Sequence, residues 1–185
     1  LKIETSEGVI YHTGDFKLDP TPLDSRTTDL LPMARLGMAS GIDLLLIDST
    51  NAEEPGWTES ELAVRPGIQE VFDTYTDRRI ICSCFASHIH RVAQIVAEAR
   101  KRGRKLVPVG RSMIRIFEIA RENGLIDIPN SEILKLSELR SFPPEKTCIL
   151  STGSQGEPRA ALSLMARSEH RHITIQEGDV ILLSS

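Results

Sequence analysis

Short apolar runs alternate with segments of helical period along most of the chain, and few architectures accommodate that order. Val9–His12, Leu44–Asp48, Arg79–Cys84, Lys105–Val109, Ile133–Leu136, Thr147–Ser151 and Val180–Leu183 read as strands. Between them, Ile89, Val92, Ile95, Val96 and Ala99 recur at three- and four-residue steps, which predicts an amphipathic helix over His88–Arg102. Met113, Ile116, Phe117 and Ala120 repeat that pattern, and Gly124 stands where a helix would stop. Ile68, Val71, Phe72 and Tyr75 form a shorter stripe behind Pro66, a residue tolerated in a first turn. Thr58-x-x-Glu61 has the spacing of a capping box. The chain opens inside what reads as a strand pair, with Glu7-Gly8 as its turn. Strands separated by helices of about 10–15 residues imply βαβ units. The predicted class is α/β, with a mostly parallel sheet flanked by helices.

Composition narrows the function classes. Of 185 residues, 40% are hydrophobic and 26% charged, which fits a soluble globular chain rather than a disordered or fibrous one. The apolar run around Leu44–Ile47 is far shorter than the roughly 18 residues that a membrane span needs. No secretory leader is visible at the start, so a cytoplasmic protein without membrane contact is expected. Net charge is −4, which excludes a non-specific nucleic-acid coat; a nucleic-acid ligand would need a local basic pocket. Aromatic residues are only 4%, too few for a base-stacking platform. Cys82, Cys84 and Cys148 are an odd number, which points to a reducing compartment and buried structural thiols. The first residue is Leu1 and the last apolar run nearly reaches the end, without polar fraying. A piece of a larger protein is therefore expected.

In open α/β sheets, ligands bind at the carboxyl ends of the strands. Polar and glycine-rich clusters follow strand after strand at that end: His12-Thr13-Gly14-Asp15, Asp48-Ser49-Thr50-Asn51, Ala86-Ser87-His88-Ile89-His90-Arg91, Gly110-Arg111-Ser112, and Ser151 through Ser154 to Pro158. Each would lead into a helix N-terminus, where free N–H groups and the helix dipole favour anions. Small residues let a phosphate approach the backbone, and Arg91 and Arg111 could supply charge. The same residues also serve as ordinary helix caps and turns. In a strand, His88 and His90 would share a face and could hold zinc; at a helix start they diverge by about 200°, and phosphate contact becomes the favoured role. Asp15 and Asp48 stand at strand ends, suited either to metal ligation or to capping. No H-x-H-x-D-H, H-E-x-x-H or C-x-x-C string occurs, so these residues alone do not assemble a metal site.

Five strings together resemble bacterial ribonuclease J: His12-Thr-Gly-Asp-Phe-Lys-Leu-Asp19, Asp48-Ser-Thr-Asn-Ala-Glu53, Phe85-Ala-Ser-His-Ile-His-Arg91, Gly110-Arg-Ser-Met113 and Thr152-Gly-Ser-Gln-Gly-Glu-Pro158. That family belongs to the metallo-β-lactamase superfamily and carries an inserted β-CASP domain. The resemblance implies a metal-dependent RNA phosphodiesterase with 5′-to-3′ exonuclease and endonuclease activity in RNA processing and decay. Its partner would be single-stranded RNA, preferably with a 5′-monophosphate. Its cofactor would be two Zn²⁺ per active site, with Mn²⁺ or Mg²⁺ possible. It implies Asp15 as a metal ligand and Asp48 as the acid supporting the catalytic centre. Ser87, His88, Ile89, His90 and Arg91 would contact RNA, with Arg111, Ser112 and Ser154 also binding substrate.

This chain has His88 where the family usually has Asn, and Arg159 where Met is common. The upstream H-x-H-x-D-H string and the downstream S-G-H-A and H-G-E strings are not in this sequence. The expected division is therefore residues 1–56 as the end of the first segment of a metallo-β-lactamase αββα fold, and 57–185 as the β-CASP domain with the start of the return. Such a piece is expected to lack cleavage activity and to expose apolar surface around Leu44–Asp48. The parent would be a dimer or tetramer, completed by the missing metallo-β-lactamase part. The alternatives are a stand-alone phosphate- or nucleotide-binding α/β module without catalysis, and an interaction scaffold whose polar loops are only caps.

Overall fold

The first apolar run finds its partner immediately upstream. In the computed structural model, which describes residues 1–184, Lys2–Thr5 (β1) pairs antiparallel with Gly8–His12 (β2), Thr5 facing Gly8. Ser185, at the end of the second predicted segment, lies outside the described residues. The turn is thus Ser6-Glu7, one residue earlier than the sequence predicts. Gly8 is used differently: at φ +148° it begins the strand, and a Cβ there would lie 2.5 Å from Asp43 Oδ2. That carboxylate accepts the Val9 N–H at 2.7 Å, so the close approach needs the glycine.

Contacts divide the chain into two units, Leu1–Ala63 and Val64 onward. In the first, β2 also pairs in parallel with Leu44–Leu46 (β3). That strand ends two residues short of the prediction because the Asp48 N–H turns to Thr13 Oγ1, at 3.1 Å. Between β2 and β3 lies a helix that periodicity did not indicate, Leu31–Met38 (α1), with Pro32 in its first turn and no buried residue. Asp29 Oδ1 accepts its Leu31 N–H at 3.0 Å. Among the described residues, no apolar side chain before Ile68 is buried, and Leu44 through Ile47 are all exposed. The predicted capping box does not form. The Glu61 N–H that Thr58 would accept goes to Asp19 Oδ2 at 2.8 Å, and Glu61–Val64 makes a 3₁₀ turn.

The second unit is built on a parallel sheet. Its elements are Arg65–Thr74 (α2), Ile80–Ser83 (β4), Ile89–Lys101 (α3), Lys105–Pro108 (β5), Arg111–Glu122 (α4), Thr147–Ser151 (β6), Ala161–Ala166 (α5) and Val180–Leu183 (β7). The strand order is β5-β6-β4-β7, every pair parallel. Strand alternation sorts the side chains. Ile80, Cys82, Leu106, Cys148 and Leu150 pack with Ile68 and Phe72 of α2, Val92 and Ile95 of α3, and Met113 and Phe117 of α4. Ile81, Val107 and Ile149 belong to a second cluster with Ala161, Leu162 and Met165 of α5, and with Leu139 and Ile173. Both faces are covered, the condition under which parallel sheets occur. The α/β class with a helix-flanked parallel sheet is what the residue pattern predicts.

One predicted strand is absent. Ile133 makes a single bridge to Leu106, and the Leu134 N–H reaches Leu106 O at 2.8 Å. The Lys135 N–H then turns to Glu138 Oε2 at 3.0 Å, and the chain leaves the sheet. All three cysteines are free and buried, with the sulfurs of Cys82 and Cys148 3.9 Å apart. The contact with Cys148 and burial push the Cys82 thiol up, and burial pushes Cys84 up to about 11, so both stay protonated. At the amino end of the sheet Arg79 forks onto Asp179, donating through Nε at 2.9 Å and through Nη2. No helix among the described residues is long and apolar enough to cross a membrane.

Candidate functional site

The connection from β4 runs toward β5, on one side, and the connection from β6 runs toward β7, on the other. Adjacent strands whose connections part in this way leave a crevice at their carboxyl ends, the usual ligand position in an open α/β sheet. Two of the predicted loops meet there. After β4, His88 is the N-cap of α3, and its Nδ1 accepts the Arg91 N–H at 3.2 Å. The helix-start reading of Ser87-His88-x-His90 therefore holds. Ser87 is exposed, while His88, Ile89 and His90 are half-buried. Arg91 is buried, and its Nη1 donates to Ser184 Oγ at 2.5 Å, fastening the first turn of α3 to the end of β7.

After β6, the loop turns sharply at Gly153. Its φ is +113°, and a Cβ there would stand 2.9 Å from Ala160 Cβ and 3.1 Å from Leu162 Cβ. The Leu162 N–H donates to Thr152 O at 3.0 Å, holding the loop against the start of α5. Ser154 Oγ is buried and has no hydrogen-bond partner among the described residues; Ser83 Oγ, at the end of β4, is in the same condition. A buried hydroxyl without a partner forfeits its hydration, about 1–3 kcal/mol, and calls for an explanation. Ser83 escapes sequence reasoning because it lies inside an apolar strand.

After β5, Gly110 is the N-cap of α4 at φ +93° and offers no side-chain acceptor to the first turn. Arg111 and Ser112 are exposed and line a cavity of ≈ 420 Å³ together with Thr152 and Arg159. His170 lines the same cavity and was not among the candidates, since nothing in its polar surroundings distinguishes it.

Asp15 and Asp48 lie in the other unit. The Thr13 N–H donates to Leu46 O at 3.0 Å, and Thr13 Oγ1 accepts the Asp48 N–H, so the loops after β2 and β3 are joined. Asp48 acts as a cap: its Oδ1 accepts the Thr50 N–H at 3.1 Å and the Thr50 hydroxyl at 2.8 Å, which holds its carboxyl below the usual range. His12 Nδ1 accepts the Gly14 N–H at 2.9 Å, and Asp15 is exposed. Among the described residues, no three His, Cys, Asp or Glu side chains are grouped to hold a metal ion. A catalytic zinc takes about three protein donors. The residues of this chain therefore do not fit a two-metal centre.

Residues 77–185 match the protein family described as ribonuclease J, β-CASP domain. The chain is similar to ribonuclease J of Mycolicibacterium smegmatis, 49% identical over 183 residues that cover 99% of this chain and 32% of that protein. It is 45% identical to ribonuclease J of Mycobacterium tuberculosis, covering 100% of this chain and 33% of that protein. To ribonuclease J of Helicobacter pylori it is 43% identical, covering 100% and 26%. The chain thus spans about a third of the length of these relatives, or less.

Proposed function

This chain belongs to the ribonuclease J β-CASP family, and on that basis we propose that it is the RNA-binding part of a ribonuclease J-like phosphodiesterase. The observation that carries the reading is the crevice between β4 and β6, where Ser154, in the loop that follows β6, has a buried hydroxyl with no hydrogen-bond partner among the described residues. A phosphate oxygen would give that hydroxyl an acceptor. The first-turn amides of α3 favour the same anion, Ser87 is a further donor, and His88 stands beside it at the helix start. Ile89 and His90 border the turn. Arg91 acts as a positioning residue, since its guanidinium is bound to Ser184.

The whole protein would be an enzyme of RNA processing, acting as exonuclease and endonuclease on single-stranded RNA with a 5′-monophosphate. We place Asp15 as one donor to its metal ions, zinc by preference and otherwise Mn²⁺ or Mg²⁺, and Asp48 as the acid that fixes the neighbouring loop. The remaining donors would come from the metallo-β-lactamase part, to which residues 1–56 would also belong. No hydrolytic step runs through this chain alone. A cytoplasmic dimer or tetramer is the proposed setting.

The test is a binding titration of the chain with fluorescent single-stranded RNA carrying either a 5′-phosphate or a 5′-hydroxyl. Tighter binding of the phosphorylated strand is expected, with a modest salt slope and a loss in Ser154→Ala and His88→Ala. Equal binding of mononucleotide and RNA, whatever the length, would instead support the stand-alone nucleotide module. With Mn²⁺ or Zn²⁺ added, the RNA should stay intact. Cleavage that disappears in Asp15→Ala would overturn the proposed dependence on the rest of the protein.

A further inference from the structure

The amino end of the parallel sheet carries a cavity of ≈ 370 Å³. Arg79 precedes β4, Pro144 precedes β6, and Ile173 to Gln176 lead toward β7. The cavity therefore lies at the opposite end of the strands from the β4–β6 crevice. No carboxylate lines it, while Arg79, Arg140 and His172 do.

Arg79 is only 9% exposed. Its Nε donates to Asp179 Oδ1 at 2.9 Å, and its Nη2 donates to Asp179 Oδ2 and, at 2.9 Å, to Thr174 O. Nη1 has no acceptor among the described residues, which leaves one arm of a buried fork to the cavity that the residue lines. Arg140 is exposed and forms no ion pair among the described residues, unlike Arg100 and Arg102, which acids engage. Leu139, Phe142 and Ile173 supply an apolar wall. Leu139 and Ile173 belong to the core cluster on that face of the sheet, which fixes the wall in place.

Charge decides the class of ligand. Asp179 already neutralises Arg79, so Arg140 is the full charge that remains to be balanced. A monoanion balances it, whereas a phosphate dianion would leave a surplus beside an apolar wall. A carboxylate also matches the planar donor geometry of a guanidinium. The wall then asks for an apolar body on that carboxylate, and the volume is at the small end of ligand pockets, about 300–1,000 Å³. We propose that this cavity binds a small apolar monocarboxylate, with Arg140 and Arg79 Nη1 on the carboxylate and Leu139, Phe142 and Ile173 against its body. A free acid and the C-terminal residue of a polypeptide present the same two oxygens. The site does not depend on the reading that the chain binds RNA.

The experiment is an amide-shift titration of the ¹⁵N-labelled chain with 3-phenylpropionate, its neutral amide 3-phenylpropionamide, and the peptide N-acetyl-Ala-Phe with a free carboxylate. Shifts centred on Arg79, Leu139, Arg140 and Ile173 are expected with the first probe and not with the amide. Shifts with 3-phenylpropionate identify a free acid as sufficient, and shifts with the peptide alone identify a polypeptide C-terminus. Arg79→Ala would leave Asp179 buried without its partner and endanger the fold, so the exposed Arg140 carries the test. Arg140→Ala should weaken the effective probe about fivefold. Arg115→Ala, which removes an exposed arginine outside the cavity, should not weaken it. The spectrum of each variant verifies its fold. The proposal falls if neither acid moves these amides, if the neutral amide moves them equally, or if Arg140→Ala binds as well as the unaltered chain. The crevice is read separately, at Ser87–His90 with 5′-phosphorylated RNA, so either reading can fail without the other.

Discussion

Leu45 and Ile81 sit in apolar runs of similar length, each in a strand paired in parallel, yet Leu45 is 44% exposed and Ile81 fully buried. The difference lies in what covers the strand. Ile81 has α5 on its face of the sheet, and its neighbours Ile80 and Cys82 have α2, α3 and α4 on the other. Leu45 belongs to a three-stranded sheet with no buried apolar side chain around it among the described residues. An apolar run states a demand for cover, and only a second layer of structure meets it.

Substitutions can break or sharpen this contrast. The largest effect is expected in the second unit, from Phe72→Ala. Phe72 is fully buried, and loss of its ring should remove about 3–5 kcal/mol from urea-unfolding stability read by helix circular dichroism. Next comes Glu98, buried in the same unit. Burial alone would raise its pKa, but hydrogen bonds from Arg102, Lys101 and Gln69 outweigh it and hold the carboxyl at about 2. A depressed pKa contributes stability that is complete above about pH 4.5 and lost as pH falls toward 2. Glu98→Gln should cost about 2–3 kcal/mol at pH 7 and flatten the stability profile across that window.

Glycines give a paired test. Gly153→Ala meets Ala160 and Leu162 as well as its own backbone strain, and should cost about 2 kcal/mol. Gly14, at φ +66°, has open space where a Cβ would go, so Gly14→Ala should cost only the left-handed conformation, about 1 kcal/mol. Smallest is Leu45→Lys, expected to change stability by less than about 0.5 kcal/mol while lowering the fluorescence of an apolar dye. A Leu45 effect as large as that of Phe72 would show that the leucines are covered in solution, and the contrast would dissolve.

The parallel sheet was legible because its strands are dense in β-branched and apolar residues and its long helices keep one apolar stripe each. Helices lacking that stripe were not legible: α1 buries nothing, and α5 is six residues long. Ile133–Leu136 has strand composition, but after the Leu134 N–H bonds to β5 the next amide, of Lys135, finds the Glu138 carboxylate and pairing stops. At the site, the role of His88 could be reasoned from where a helix must start. The burial of Arg91 could not, because its partner Ser184 is 93 residues away in the sequence. His170 gives no periodic signal, and its position depends on two backbone amides that follow it.

That bond between Arg91 and Ser184 makes the site responsive to strain. A buried guanidinium does not swap partners cheaply, so the first turn of α3 and the backbone leaving β7 move as one piece. Whatever bends the backbone beyond Leu183 also re-aims the first-turn amides of α3, so the tension in β7 becomes a setting of how that helix start presents itself.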